Sequence, residues 1–445
     1  MINSINNIFQ TNYNTTGSAK SNKAETLPYF CGMPNWFLGT NNTQITKIRT
    51  SLTSKEEHNK YNTILQAADK STRKNLEILL KNGILLNSNS DDKSTVLDNL
   101  YKIATTQRAH GLDSAKLIKD TVSIISNPET ITQQFGNIPQ NFRETVIKAN
   151  DNNANGIDVR HSGTCVAASI EYNLAQKTPA EFSRFVEGLS SPKNSVEKKL
   201  ELKNLTDNTL DSIWLLNAFE IPYKMNNFNE AELTLAPDKN ALIRAQIQTA
   251  DKDAFERSAV DVLMQSTFMQ IGSQQSYNSL TDNRSGKFNQ NPKGLVEFEK
   301  TFTESVVNNK CVESVTYQTV DENTKLIGYE TDLDTMKKQL LTTLDMGENI
   351  LIGYTQVDNN NVIINGHEIT IVGYKKDNNG KLTFICNDTD DNLSGLIEYK
   401  EDYLLPKIHH AALPKAVLEQ NSKAQIPAWL ESLNTYKKIK EGQLT

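Results

Sequence analysis

Cys165 and His367, with Asn387 or its neighbour Asp388, are residue types that together make a thiol nucleophile, its base and a group to orient the base. A thiol attacks as the thiolate, so it needs an imidazole nearby to take and later return its proton. The imidazole needs a hydrogen-bond partner that fixes its tautomer. Cys165 follows the polar run His161-Ser162-Gly163-Thr164 and opens a segment in which Val166, Ile170 and Leu174 mark one apolar helical face. Ser162 and Thr164 are helix-capping types, whose side-chain oxygens can accept the orphan N–H groups of a helix start. A thiol at such a start lies at the positive end of the helix dipole, which favours its charged form. Taken alone, the same cysteine reads as a small buried residue at a tight turn. The histidine downstream shifts that balance.

The elements that must position these groups are legible by period. His367 opens the strand His367-Glu368-Ile369-Thr370-Ile371-Val372-Gly373-Tyr374, and the next strand ends in Phe384-Ile385-Cys386-Asn387-Asp388. Adjacent strand residues face opposite sides, so only one of Asn387 and Asp388 can reach His367. Further strands are expected at 350–357, 362–364 and from Cys311 to Thr319, with a helix from Asp332 to Leu344 between them. Short Asp-Asn-Asn turns separate the later strands and imply antiparallel pairing. Earlier, Ser54-Lys55-Glu56-Glu57 is a capping box ahead of Tyr61, Ile64, Leu65 and Ala68. Three further helices follow, on Leu76 to Leu80, Val96 to Ala104 and Leu117 to Ile125, and others run through Leu210–Leu216 and Val260–Phe268. Helices first and strands later give an α+β fold.

Composition bounds the rest. The chain has 445 residues, room for more than one domain, and a net charge of −6, which invites neither nucleic acid nor an anionic membrane. No apolar run approaches the about 20 residues of a membrane span. Met1 to Lys23 lack the apolar centre of a secretory signal, so the expected location is the cytoplasm or export by a route without that signal. Abundant Asn and Thr fit an AT-rich bacterial genome. The four cysteines are far apart, which argues against a zinc knuckle or a disulfide framework. There is no phosphate-binding loop, and Gly366-His367-Glu368 lacks the second histidine of a zinc-peptidase helix. Asp151, Asn153, Asn155 and Gly156 match half of a calcium loop, but Ser162 stands where the bidentate Glu belongs, so a polar turn is expected. His409-His410 reads as a solvated pair, and no metal or other cofactor is expected. The stretch from Gly272 to Lys293, rich in Gly, Ser, Asn and Gln, reads as an inserted surface loop.

The sequence resembles the papain-like cysteine peptidases. Gly163-Thr164-Cys165 with small residues after it is similar to the family's nucleophile segment, and His367 to Tyr374 to its histidine strand ending Val-Gly-Tyr. Asn387 matches the family's Asn, and Ile138-Pro139-Gln140-Asn141-Phe142-Arg143 resembles the start of its mature enzymes. The matched motifs cover a small part of the chain. The resemblance implies a polar tail over 1–35, a helical region over 36–135 in the place of an inhibitory prosegment, a catalytic domain over 136–412, and a helical tail over 413–445. It implies a thiol-dependent peptidase that cleaves peptide or isopeptide bonds through a Cys165-His367-Asn387 triad and an acyl-enzyme. Its substrate would be a protein or peptide. The chain departs from the family where Val159 replaces the oxyanion-binding Gln, a role His161 or Asn155 could take, and where Asp388 replaces the Trp that shields the Asn. These departures keep two alternatives open. One is a transglutaminase-like acyltransferase or deamidase, favoured if Asp388 is the orienter; the other is a silent relative used for binding.

Overall fold

The structure, a computed structural model, describes residues 48–134, 138, 140–149, 162–250, 256–289, 293–390 and 395–420. Ser54 accepts the Glu57 N–H at 3.1 Å while the Glu57 carboxylate returns a bond to the Ser54 N–H, so α1 (Lys55–Ala67) starts at a reciprocal cap. Asp69, Thr95 and Asp113 cap α2 (Lys70–Lys81), α3 (Val96–Thr105) and α4 (Ser114–Ser126) in the same way, each with its side-chain oxygen on a first-turn N–H. A short α5 (Arg143–Ala149) precedes α6 (Cys165–Lys177) and α7 (Pro179–Leu189). A three-stranded antiparallel sheet then forms from β1 (Val196–Glu201), β2 (Tyr223–Asn227) and β3 (Glu230–Leu235), with α8 (Thr209–Ala218) inserted after β1. The helices α9 (Ala241–Ala250), α10 (Ala259–Gly272) and α11 (Glu297–Asn308) complete the helical half.

The strand-rich half follows. It holds β4 (Val312–Thr316), the small hairpin β5 (Gln318–Val320) and β6 (Leu326–Tyr329), α12 (Leu333–Asp345), β7 (Ile350–Val357), β8 (Ile363–Lys376), β9 (Leu382–Asn387) and β10 (Leu396–Lys400). A turn of helix, α13 (Glu401–Leu404), leads to β11 (Ile408–Pro414) and α14 (Lys415–Gln420). The large sheet has the order β10-β9-β8-β7-β11-β4, and every pairing in it is antiparallel. The fold is mixed α and β. The two strands expected at 362–364 and from His367 are one continuous strand, because Asn365 and Gly366 keep their pairing with Gln356 and Thr355.

Each face of the sheet is buried by a different set of helices. On one side Leu351, Ala412, Val312 and Val372 join a large core with α6, α7, α10 and α11. On the other, Ile350, Ile352, Ile369 and Phe384 pack with Met336 and Leu340 of α12 and Leu404 of α13. The N-terminal helices belong to the first core: Ile64, Leu76, Leu100 and Ile118 are buried in the same cluster as Ile170 of α6 and Phe268 of α10. Among the described residues no helix is long and apolar enough to cross a membrane.

The segment after Gly272 is not a surface loop. Ser273, Gln274, Tyr277, Ser279, Leu280 and Asp282 are all buried. Several of its polar residues face inward and are paired there: Ser279 donates to Asp238, Gln274 Nε2 to the Ala218 carbonyl at 2.9 Å, and Arg284 grips Glu299 with both terminal nitrogens. A polar stretch can be buried when each of its groups finds a partner, and composition does not show this. Residues 1–35, the 429–439 segment and the 151–161 turn lie outside the described residues.

Candidate active site

Cys165 is the first residue of α6 and is half-buried. Its position is set by the three residues before it. The Ser162 hydroxyl donates to the Gln133 carbonyl and lies 2.6 Å from Thr164 Oγ1, and the Thr164 hydroxyl donates to Gln265 Oε1 at 2.8 Å. Both expected capping side chains are thus spent on this network, and α6 starts without a side-chain cap. Among the described residues no side chain takes the orphan N–H groups of its first turn. The Gly163 N–H donates to Asp282, the buried acid in the loop after Gly272. Gly163 admits no larger residue, since a Cβ there would lie 2.8 Å from Lys293 Cβ and 3.1 Å from its backbone carbon.

His367 lies in β8 beside Tyr354 of β7, with its side chain 17% exposed. Its Nε2 is 2.7 Å from Asp388 Oδ1, and Cys165 lies close enough to the ring to raise its pKa. Burial alone would lower the imidazole's pKa. The bond to Asp388 and the nearby Cys165 outweigh it and raise the pKa well above the ordinary histidine value. The structure therefore brings Cys165, His367 and Asp388 together.

Asn387 occupies a different place. Its partner across the sheet is Thr370, three residues along β8 from His367, and its side chain is almost fully buried, with Oδ1 lacking a hydrogen-bond partner among the described residues. Asp388 is the first residue past the end of β9, free of the strand's alternation, and turns toward the ring. The group hydrogen-bonded to the imidazole is therefore the Asp388 carboxylate and not the Asn387 amide that the family resemblance implied. His161 and Asn155, expected near the oxyanion, lie outside the described residues.

Several positioning residues carry no sequence signal. The backbone of Thr132 to Gln134 acts as a strap between the nucleophile loop and the Asp388 loop. The Gln133 N–H donates to the Thr389 carbonyl at 3.0 Å, Gln134 Nε2 to Asp390 Oδ1 at 2.6 Å, and the Gln133 carbonyl takes the Ser162 hydroxyl. Gln265 of α10, fully buried, accepts from Thr164 and from Arg257 and donates to the Thr132 carbonyl and to Glu171 Oε2 at 2.9 and 3.0 Å. Glu171 of α6 and Asp261 of α10 are two neighbouring, fully buried acids beside it. Burial raises both carboxyls, Asp261 to about 6. Glu171 and Asp261 are each the one acidic residue of their helix, and that is the signal the sequence carried.

Cys311 and Cys386 lack this setting, and Cys31 lies outside the described residues. Burial pushes the Cys311 thiol up to about 11 and raises Cys386 further. His409 and His410 are not a solvated pair either: both sit in β11, with side chains 23% and 14% exposed, against Glu297 of α11. No protein-family model matches the chain, and no curated protein is similar to it.

Proposed function

We propose that this chain is a thiol-dependent hydrolase of the papain-like type, cleaving peptide or isopeptide bonds through Cys165, His367 and Asp388. The observation that carries the reading is a single imidazole that is hydrogen-bonded to the Asp388 carboxylate and near enough to Cys165 for the two to interact. The helix-start thiol, the histidine on an antiparallel strand and the orienter at the end of the next strand support the family assignment.

In the reaction the Cys165 thiol gives its proton to His367 and the sulfur attacks the substrate carbonyl carbon. Negative charge develops on the carbonyl oxygen, where the uncapped N–H groups of the first turn of α6 supply hydrogen-bond donors. The C–N bond then breaks, and His367 returns the proton to the departing amine. A thioester on Cys165 remains. Water attacks it with His367 as base, the C–S bond breaks, and the proton returns to sulfur. Asp388 holds the Nε2–H throughout, fixes the tautomer and stabilises the imidazolium.

A second reading shares every step but the last: the acceptor is an amine, as in a transglutaminase-like acyltransferase. The carboxylate at the orienting position favours it. Both are tested by incubating the full chain with a pool of glutamine- and lysine-containing peptides, with and without a primary amine, and identifying products by mass spectrometry. Cleaved or deamidated peptides support hydrolysis, amine adducts support transfer, and either must vanish in Cys165→Ala. Absence of all products in the unmodified chain would leave a binding protein.

A further inference from the structure

Where β11 meets the start of α11, two histidines and a glutamate converge. Glu297 is the first residue of α11, and its Oε1 lies 3.1 Å from His409 Nε2 and 3.6 Å from His410 Nδ1. One donor atom from each of the three side chains lies within 4.8 Å of the others. Ligands about 2.0–2.1 Å from a tetrahedral ion are spaced at about 3.3 Å. The two separations from Glu297 bracket that spacing, and 3.6 Å is too long for a hydrogen bond.

The surroundings are built to aim these atoms. Consecutive residues of a regular strand point to opposite faces, so His409 and His410 could not both reach one carboxylate. The pairing of β11 with β7 shifts register between Ile408 and His410, and this bulge lets both rings face Glu297, at 79° to each other. Opposite them Gly353 leaves the space that His410 fills: a Cβ there would lie 2.1 Å from the imidazole. The second oxygen of Glu297 is held by the Thr316 hydroxyl at 2.7 Å, so Oε1 alone is turned to the rings. The far nitrogen of His410, Nε2, lies 3.4 Å from Glu368, whose other oxygen pairs with Lys300 at 3.0 Å. A carboxylate behind a histidine is the arrangement that orients metal-bound imidazoles. Among the described residues, Nδ1 of neither histidine has a hydrogen-bond partner.

We propose that Glu297, His409 and His410 form a site for a borderline divalent transition metal, zinc by preference, with Thr316 and Glu368 orienting the ligands. Two imidazoles and one carboxylate suit zinc and exclude magnesium or calcium, which need oxygen cages. The fourth position is open to water. The ion pins β11 to the first turn of α11. Glu368 adjoins His367 in the chain, so the pin braces the strand that carries the base without touching it.

The test uses the full chain with Cys165→Ala, which removes the thiol as a rival zinc ligand, stripped with EDTA. Zinc is added in a calorimeter, and cobalt(II) is added separately while the visible spectrum is recorded. One equivalent bound at micromolar affinity or tighter is expected, with the intense visible band of four-coordinate cobalt. Glu297→Gln and His409→Asn should each weaken binding at least about 100-fold, and Thr316→Val by about tenfold. Circular dichroism checks that each variant is folded. The cobalt spectrum of the Cys165→Ala protein decides the matter if a variant fails to fold. No bound equivalent, a six-coordinate cobalt spectrum, or binding undiminished in the folded variants would overturn the site and leave an ion pair between Glu297 and its histidines.

Discussion

Asp388 Oδ1 lies 2.7 Å from His367 Nε2 and also accepts the backbone N–H of Asp390 at 3.0 Å. The carboxylate is therefore fixed by its own turn before the imidazole meets it. That turn is fixed in its place by the strap, since the next residue, Thr389, accepts the Gln133 N–H through its carbonyl.

The first expectation follows from this pair. Asp388→Asn keeps the shape but cannot stabilise an imidazolium, and kcat/KM should fall by about 10²–10⁴. Asn387→Ala, which removes a buried amide away from the ring, should cost about tenfold or less. NMR titration of the imidazole should show His367 losing its proton at lower pH in Asp388→Asn than in the unmodified chain. The reverse ranking of the two variants would return the orienting role to Asn387.

A second concerns the N-terminal helices. The resemblance put them where a removable inhibitory segment would lie, yet Ile64, Leu76, Leu100 and Ile118 share one core with α6 and α10. A protein starting at Gly136 loses those side chains and also the Thr132–Gln134 strap. It should be insoluble or lack a cooperative thermal transition, and its Cys165 should label no faster than in the full chain. A soluble fragment with faster labelling would restore the inhibitory role.

Much of the frame could be read from period and caps alone. The capping box at Ser54 and Glu57, the apolar spacing of Leu117, Ile118, Val122 and Ile125, and the alternation from His367 to Tyr374 each state a local rule that packing did not override. What could not be read depends on contacts distant in sequence or on single-residue irregularities. Asp388 was separable from Asn387 only by knowing where β9 ends. The loop after Gly272 has a surface composition, but Asp282 and Arg284 are buried because Gly163 and Glu299 meet them. The closeness of His409 and His410 to Glu297 depends on one bulge in β11. Gln265 and the strap have no motif, because their role is to join four segments far apart in the chain.

A third expectation uses pH. Glu304 of α11 is buried, with Oε2 unpartnered, and desolvation raises its pKa to about 8, opposed only in part by Lys300. Its unfolded value is near 4.5. Between those values the folded state holds more protons than the unfolded one, so stability falls as pH rises from about 4.5 to about 8 and then levels off. The thermal midpoint of the unmodified chain should therefore drop by some degrees from about pH 6 to about pH 8. Glu304→Gln should show a smaller drop over the same interval. An equal drop in both proteins would assign the pH dependence to other groups.

The central claim is that His367 activates Cys165, and alkylation tests it most directly. The full chain is treated briefly with iodoacetamide at about pH 6, where an unassisted thiol is almost wholly protonated, and each cysteine peptide is quantified by mass spectrometry. Cys165 should be labelled at least about 100-fold faster than Cys311 or Cys386, and His367→Ala should bring it down to their level. Equal labelling of the cysteines, or fast labelling of Cys165 that survives His367→Ala, would contradict the account.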